Sequence, residues 1–282
     1  MLLGLSAALA AAVLYGVAAI LQATGARRVA RTDALDPRLL ARILRQPTAV
    51  AALVLMLCGF LLHLAAVRLV PLFLAQAGIA VSLVVSALLA VVLFAERLRA
   101  TEWGAVGAVF VGLLLLSASA GDVGDRSGGA LLTVSLFVAV AVIAVLGAVA
   151  SRYRGAVSTA VLGLLAGLGY AIVGISARLL PGFGAVQLLR APTTWSMVIG
   201  GSLAFFLYSV ALQRGVVTLA TTPMIVTQTV APAAVGVAVL GDGVRPGWAI
   251  AAALGFLVTV AAAGALVRFE GSSSSTPHPQ RT

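Results

Sequence analysis

Apolar positions run almost unbroken for about twenty residues at a time along this chain, and polar residues fall mostly between the runs. Within a run neither the helical nor the strand period stands out, because both faces are apolar. A helix that crosses a bilayer needs about 20 such residues. Nine runs qualify, at about 2–25, 48–67, 70–94, 103–120, 130–150, 157–177, 195–212, 216–240 and 247–267. The pattern predicts an all-α, polytopic transmembrane bundle. Two breaks are longer than the rest, 26–47 and 178–194. In the first, Asp36 suits an N-cap and Pro37 the first helical position. Leu39, Leu40, Ile43 and Leu44 form an apolar stripe with Arg38, Arg42 and Arg45 between them. Three arginines there are too costly for a lipid-exposed span, so the segment reads as an interfacial helix. The second break predicts a shorter one over Ala185–Arg190. From Phe269 the chain is Ser-rich with Pro277 and Pro279, and reads as a disordered tail over 269–282.

The runs repeat. Leu44–Thr48 reads LRQPT and Leu189–Thr193 reads LRAPT, an offset of 145. His63 then falls opposite Tyr208, and Trp103 opposite Trp248. Farther upstream, LYGVAAI at 14–20 resembles GYAIVGI at 169–175, at an offset of 155. Residues 1–129 and 151–268 are thereby read as two copies of four spans plus one interfacial helix, with the span at 130–150 joining them. Equivalent positions lie five spans apart. Five is odd, so the copies are expected in opposite orientations, as in the inverted repeats of secondary transporters.

Composition agrees. Of 282 residues, 62% are hydrophobic and 9% charged, against about 25% charged in a soluble domain. The net charge of +10 comes from 18 arginines over 8 acidic residues. In a soluble chain this would suggest nucleic acid. Here the arginines sit in breaks, where they report orientation and anionic headgroups as partners, with no nucleic acid. Five of them, Arg68, Arg126, Arg178, Arg190 and Arg245, fall in breaks on one side and the other thirteen on the opposite side. The positive-inside rule makes the thirteen cytoplasmic. The expectation is a plasma-membrane protein with its N-terminus outside and its C-terminus in the cytoplasm. Residues 1–26 lack a charged leading segment, so a cleaved signal is not expected. The single Cys58 excludes an intrachain disulfide and a cysteine metal cluster, and reads as a buried small thiol.

Candidate chemistry concentrates in the span at 216–240, VVTLATTPMIVTQTVAPAAVGVAVL. Thr218, Thr221, Thr222, Thr227, Gln228 and Thr229 crowd around Pro223 and Pro232. Proline removes a backbone donor, and threonines can take up the groups it frees. Kinked helices beside a cavity are where transporters place substrate contacts. The matching span, 70–94, offers Gln76, Ser82 and Ser86. Together these side chains would line a neutral, hydrogen-bonding pathway. The plainer reading is that the hydroxyls bond their own helix backbone. Tyr15, Gln22, Tyr170 and Tyr208 are secondary pathway candidates, or packed rings. His63 is the one histidine in a span and could carry a coupling proton. Glu96 and Asp242 lie at break positions, as gate contacts at opposite mouths or as ordinary helix-end charges. Gly163 with Gly167, and Gly104, Ala108 and Gly112, space small residues four apart, for close helix packing or a homodimer. No metal, cofactor or nucleotide motif is present, and no enzymatic activity is expected.

The stretch from Gly59 through FLLHLAAVRLVPLFLAQAGIAVSLVVSALLAVVLFAERL, followed by TEWGAVGAVFVGLLLL, resembles the EamA-like members of the drug/metabolite transporter superfamily. Residues 151–180, SRYRGAVSTAVLGLLAGLGYAIVGISARLL, resemble its NIPA-like branch, often described as magnesium transporters. The resemblance implies a compact helical bundle with a central pathway between inverted halves. Three functions stand in order: a secondary transporter or facilitator for a small organic solute, a divalent cation transporter, and a non-transporting scaffold or lipid-handling subunit. Magnesium ranks lower because it favours carboxylates and retained waters, and no predicted span carries a deep carboxylate.

Overall fold

The computed structural model describes residues 2–27, 47–94, 100–125, 128–182, 184–214 and 217–273. Within them the chain is helical apart from its connections and one antiparallel bridge, Ala120 to Val244. The helices are α1 (Leu2–Arg27), α2 (Pro47–Leu69), α3 (Leu72–Phe94), α4 (Ala100–Ser119), α5 (Gly129–Ala150), α6 (Ala156–Arg178), α7 (Ala185–Arg190), α8 (Pro192–Arg214), α9 (Val217–Val235) and α10 (Ala249–Ser273). A π turn, Gly236–Leu240, continues α9. Four stretches are long and apolar enough to cross a membrane: Val50–Leu69, Gly129–Ala150, Ala156–Arg178 and Leu219–Leu240. Shorter apolar stretches lie in α1, α3, α4 and α10. The protein is a membrane-embedded helical bundle.

α5 shows why lipid is its solvent. Leu136, Val140, Ile143, Gly147 and Ala150 are buried on one face, against α6 and α8. Val134, Val138, Val142, Val145 and Val149 are exposed on the other. A helix apolar all round is at home in a core or a membrane, and the outward face of α5 has no protein to cover it.

α8 begins at the proline of the repeated motif, Pro192, where a missing N–H costs nothing, and its counterpart Pro47 is the first described residue of α2. α3 begins at Leu72, and α9 is described from Val217. Packing follows a common scheme. α1 packs chiefly on α2 and α3, and α6 on α8 and α9. Gly4, Ala8 and Gly16 of α1 lie against Val70, Gly78 and Val85, so α1 runs parallel to α3. Gly163, Gly167 and Gly174 of α6 lie against Ala220, Met224 and Pro232, so α6 runs parallel to α9. The Gly163–Gly167 pair serves packing within the fold. α3 packs against α9 and α4 against α10.

Two expectations change in detail and a third holds. Cys58 is exposed on the outward face of α2, beside the exposed Leu57 and Leu61, rather than buried. A thiol is apolar enough to face lipid. α10 continues to Ser273, five residues into the stretch read as a tail, because the helix extends past its apolar run. The helix predicted at Ala185–Arg190 is present as α7, and Trp195 Nε1 donates to Leu189 O (3.0 Å) to hold it against α8. The interfacial helix expected within 28–46, Glu96 and residues 274–282 lie outside the described residues.

The α4–α10 crossing depends on two glycines. A Cβ on Gly112 would meet Thr259 Oγ1 and lie 2.7 Å from Gly255 O, and one on Gly255 would lie 2.8 Å from Gly112 O. Gly104, in the same helix, has nothing within 4 Å. Gly112→Ala should therefore destabilise the protein by about 1–3 kcal/mol through overpacking, while Gly104→Ala should not. Thermal unfolding in detergent checks the pair.

Candidate functional site

Among the described residues, buried charge gathers at the end of the bundle where α2, α4, α6 and the π turn finish. Arg178 closes α6, and its guanidinium has little room to reach water. Nη2 sits 3.0 Å from Asp242 Oδ1, with the two side chains 7% and 0% exposed. Nη2 also donates to Gly124 O (3.1 Å), and Nη1 donates to Val70 O (3.2 Å) and Val67 O. The carboxylate is equally committed. Asp242 Oδ2 accepts from Leu72 N–H (2.5 Å), and Oδ1 accepts from Gly124 N–H (3.0 Å). Leu72 opens α3, so Asp242 supplies an acceptor for a helix-start donor that Pro71 and Val70 cannot supply. Arg68 adds a bond to Leu180 O from the same end.

Local backbone brings these groups together. Gly241, at φ 79°, ends the π turn in the left-handed region and turns the chain so that Asp242 points back into the bundle. A Cβ on Gly236 would lie 2.6 Å from Asp242 Oδ2, so only glycine leaves space for the carboxylate. Gly121 N–H to Gly243 O (3.1 Å), Gly243 N–H to Asp122 O (2.9 Å) and Arg245 N–H to Ser119 O (2.9 Å) bind the 120–125 and 241–245 loops together. The clasp thus ties α2, α3, α6 and both loops in one network.

A polar row leads away from the clasp along α3 and α9. Gln76 is buried, and its Nε2 fills the space that a Cβ on Gly174 would take, beside Pro232. Thr227 Oγ1 lies 2.8 Å from Pro223 O and 3.1 Å from Leu164 O of α6. Tyr208 of α8 and Thr221 share a 2.6 Å hydroxyl contact, and Tyr170 is half-buried in α6. Thr222 Oγ1 is buried with no partner among the described residues. Pro223 and Gln228 are half-buried. From Thr222 to Pro232 is ten positions, about 15 Å along a helix.

Of the remaining candidates, Ser82 donates to Ile79 O (2.6 Å) and Thr229 to Ile225 O (2.7 Å), each within its own helix. Tyr15 packs against Gly59. His63 is buried in α2. The side chains of Gln22 and Ser86 lie outside the described set.

Arg178 was legible only as one basic residue in a break. No spacing in a single sequence pairs it with an acid 64 positions later. The Ser176–Ser196 contact (2.8 Å) between α6 and α8 was missed for the same reason. Among the described residues no three His, Cys, Asp or Glu side chains group to hold a metal. No family model, curated protein or solved structure matches the chain.

Removing one member of a buried, hydrogen-bonded ion pair leaves the other uncompensated and costs about 3–5 kcal/mol. Arg178→Gln and Asp242→Asn should each destabilise the protein on that scale, and the double variant should cost less than their sum. Unfolding in detergent across the four-member cycle measures it.

Proposed function

We propose that the chain is a secondary transporter or facilitator that moves a small, uncharged or zwitterionic organic solute across the plasma membrane, N-terminus outside and C-terminus in the cytoplasm. The solute passes between two inverted halves, α1–α4 and α6–α10, with α5 joining them. The observation that carries the reading is the unpartnered Thr222 Oγ1 within the polar row of α9. An unsatisfied hydroxyl in an apolar surround is costly, and a passing solute with a donor or acceptor relieves that cost. Pro223 and Pro232 lie within α9, and each withholds a backbone donor from the preceding turn. Transporters place interrupted helices of this kind beside their substrate sites.

The arrangement of the halves supports the same reading. The first span of each, α1 or α6, runs parallel to its third, α3 or α9. α3 and α9 meet with their ends reversed, since Leu72, at the start of α3, lies against Gly236, at the end of α9. In this reading the Arg178–Asp242 clasp is the closed gate at the outer mouth. Alternating access then requires that this network part while contacts at the other mouth form. His63 is the buried imidazole available for a coupling proton. A divalent cation would have to compete with Arg178, Leu72 and Gly124 for the Asp242 carboxylate, which makes that alternative the weaker one.

Purified protein in liposomes, screened against a panel of neutral and zwitterionic solutes, tests the proposal. Flux of at least one solute is expected. Gln76→Ala, Thr222→Ala and Gln228→Ala should each reduce it severalfold while the protein still inserts. Undiminished flux in all three would remove the pathway from α3 and α9, and absence of flux for every solute would overturn transport.

A further inference from the structure

A groove separates α9 from α10 on the outside of the bundle, next to the clasp. Val230, Ala233, Ala234 and Val237 line it from α9, and Ala249, Ala252, Ala253 and Phe256 from α10. Each set is spaced i, i+3, i+4, i+7, so two helical faces oppose one another across a gap. Phe73 and Leu116 form the buried floor, and Val244 closes the end nearest the clasp. The space amounts to about 310 Å³ and its lining is almost wholly apolar, which places it at the small end of ligand-sized pockets. It is open to the side. Val230 and Val237 are 40% and 47% exposed, and Ala234 and Ala253 are exposed as well. In a membrane-embedded bundle the medium at that opening is lipid.

The rim says which molecule fits. Arg245 follows Val244 and Trp248 precedes Ala249, so both stand at the closed end of the groove. Trp248 N–H donates to Arg245 O (2.9 Å), and the Arg245 guanidinium lies 5.9 Å from the centre of the indole ring. Arg245 is exposed and has no carboxylate paired with it among the described residues. An indole at a helix start marks the membrane–water interface. Guanidinium is the side chain best shaped for bidentate contact with phosphate. A cation at the interface above an acyl-sized apolar groove is complementary to a phospholipid at both ends.

We propose that this groove is a specific phospholipid site, with an acyl chain between α9 and α10 and an anionic headgroup on Arg245. The site does not depend on transport. Its occupant contacts the helix that carries the polar row, so lipid composition would bear on the rigidity of α9 whatever that row conducts.

Native mass spectrometry of the full chain, released from detergent after incubation with dioleoyl phosphatidylglycerol or dioleoyl phosphatidylcholine, tests it. One phosphatidylglycerol should be retained per chain. Ala234→Phe and Ala253→Phe, which fill the groove from opposite walls, should each cut retention at least tenfold. Val138→Phe, on the exposed face of α5, should leave it unchanged. Arg245→Gln, at an exposed position, should keep the melting temperature and lose the preference for phosphatidylglycerol by about fivefold. Equal retention in the wild type and both groove-filling variants would overturn the site. So would an unchanged headgroup preference in Arg245→Gln. A lipid-independent dimer abolished by Ala253→Phe would put a second copy in the groove and would also overturn it.

Discussion

Lipid offers no hydrogen bonds, so each charge and each exposed peptide group within this bundle needs a partner made of protein. The Arg178–Asp242 clasp is the most concentrated answer to that constraint. A guanidinium with five donors and a carboxylate with four acceptor sites meet almost out of reach of water. Their remaining capacity satisfies carbonyls at the end of α2, the first N–H of α3 and both polar atoms of the Gly124 peptide. The pair is therefore less a single bond than the closure of one end of the bundle. Its loss would leave unsatisfied groups on several elements at once.

The same constraint explains the other end of the chemistry. α9 contains two prolines and ends in a π turn, so its backbone ladder is interrupted at several levels. Its threonines are engaged elsewhere: Thr227 lies against Pro223 O and Leu164 O of α6, Thr229 donates to Ile225 O, and Thr221 meets Tyr208. Thr222 is the exception, and the proposed pathway rests on that exception. Close approach of α6 to α9 at Gly163 and Gly167 holds the irregular helix in place, as small residues do where no hydrophobic force drives membrane helices together.

Much of the architecture was visible in the residues. Apolar run length located the helices, and the short helix at Ala185–Arg190 was read correctly from its break. The buried faces were not visible. In α5 the covered stripe and the lipid-facing stripe are both made of Val, Leu and Ile, so no periodicity separates them. Cys58 was misplaced for that reason. The clasp was half visible: Asp242 stood out as an acid at a break, whereas Arg178 looked like any orienting arginine. The groove between α9 and α10 had no sequence signal, since Ala and Val at helical spacing usually mean packing.

The central claim is that water and solute reach Thr222 from the mouth opposite the clasp. Thiol labelling of a Thr222→Cys variant, in a Cys58→Ser background and in sealed vesicles of known orientation, addresses it directly. A membrane-impermeant methanethiosulfonate reagent should modify the new thiol from the side opposite Arg178 and Trp248, and not from the clasp side. No reaction from either side would mean a dry, packed centre and would contradict the account.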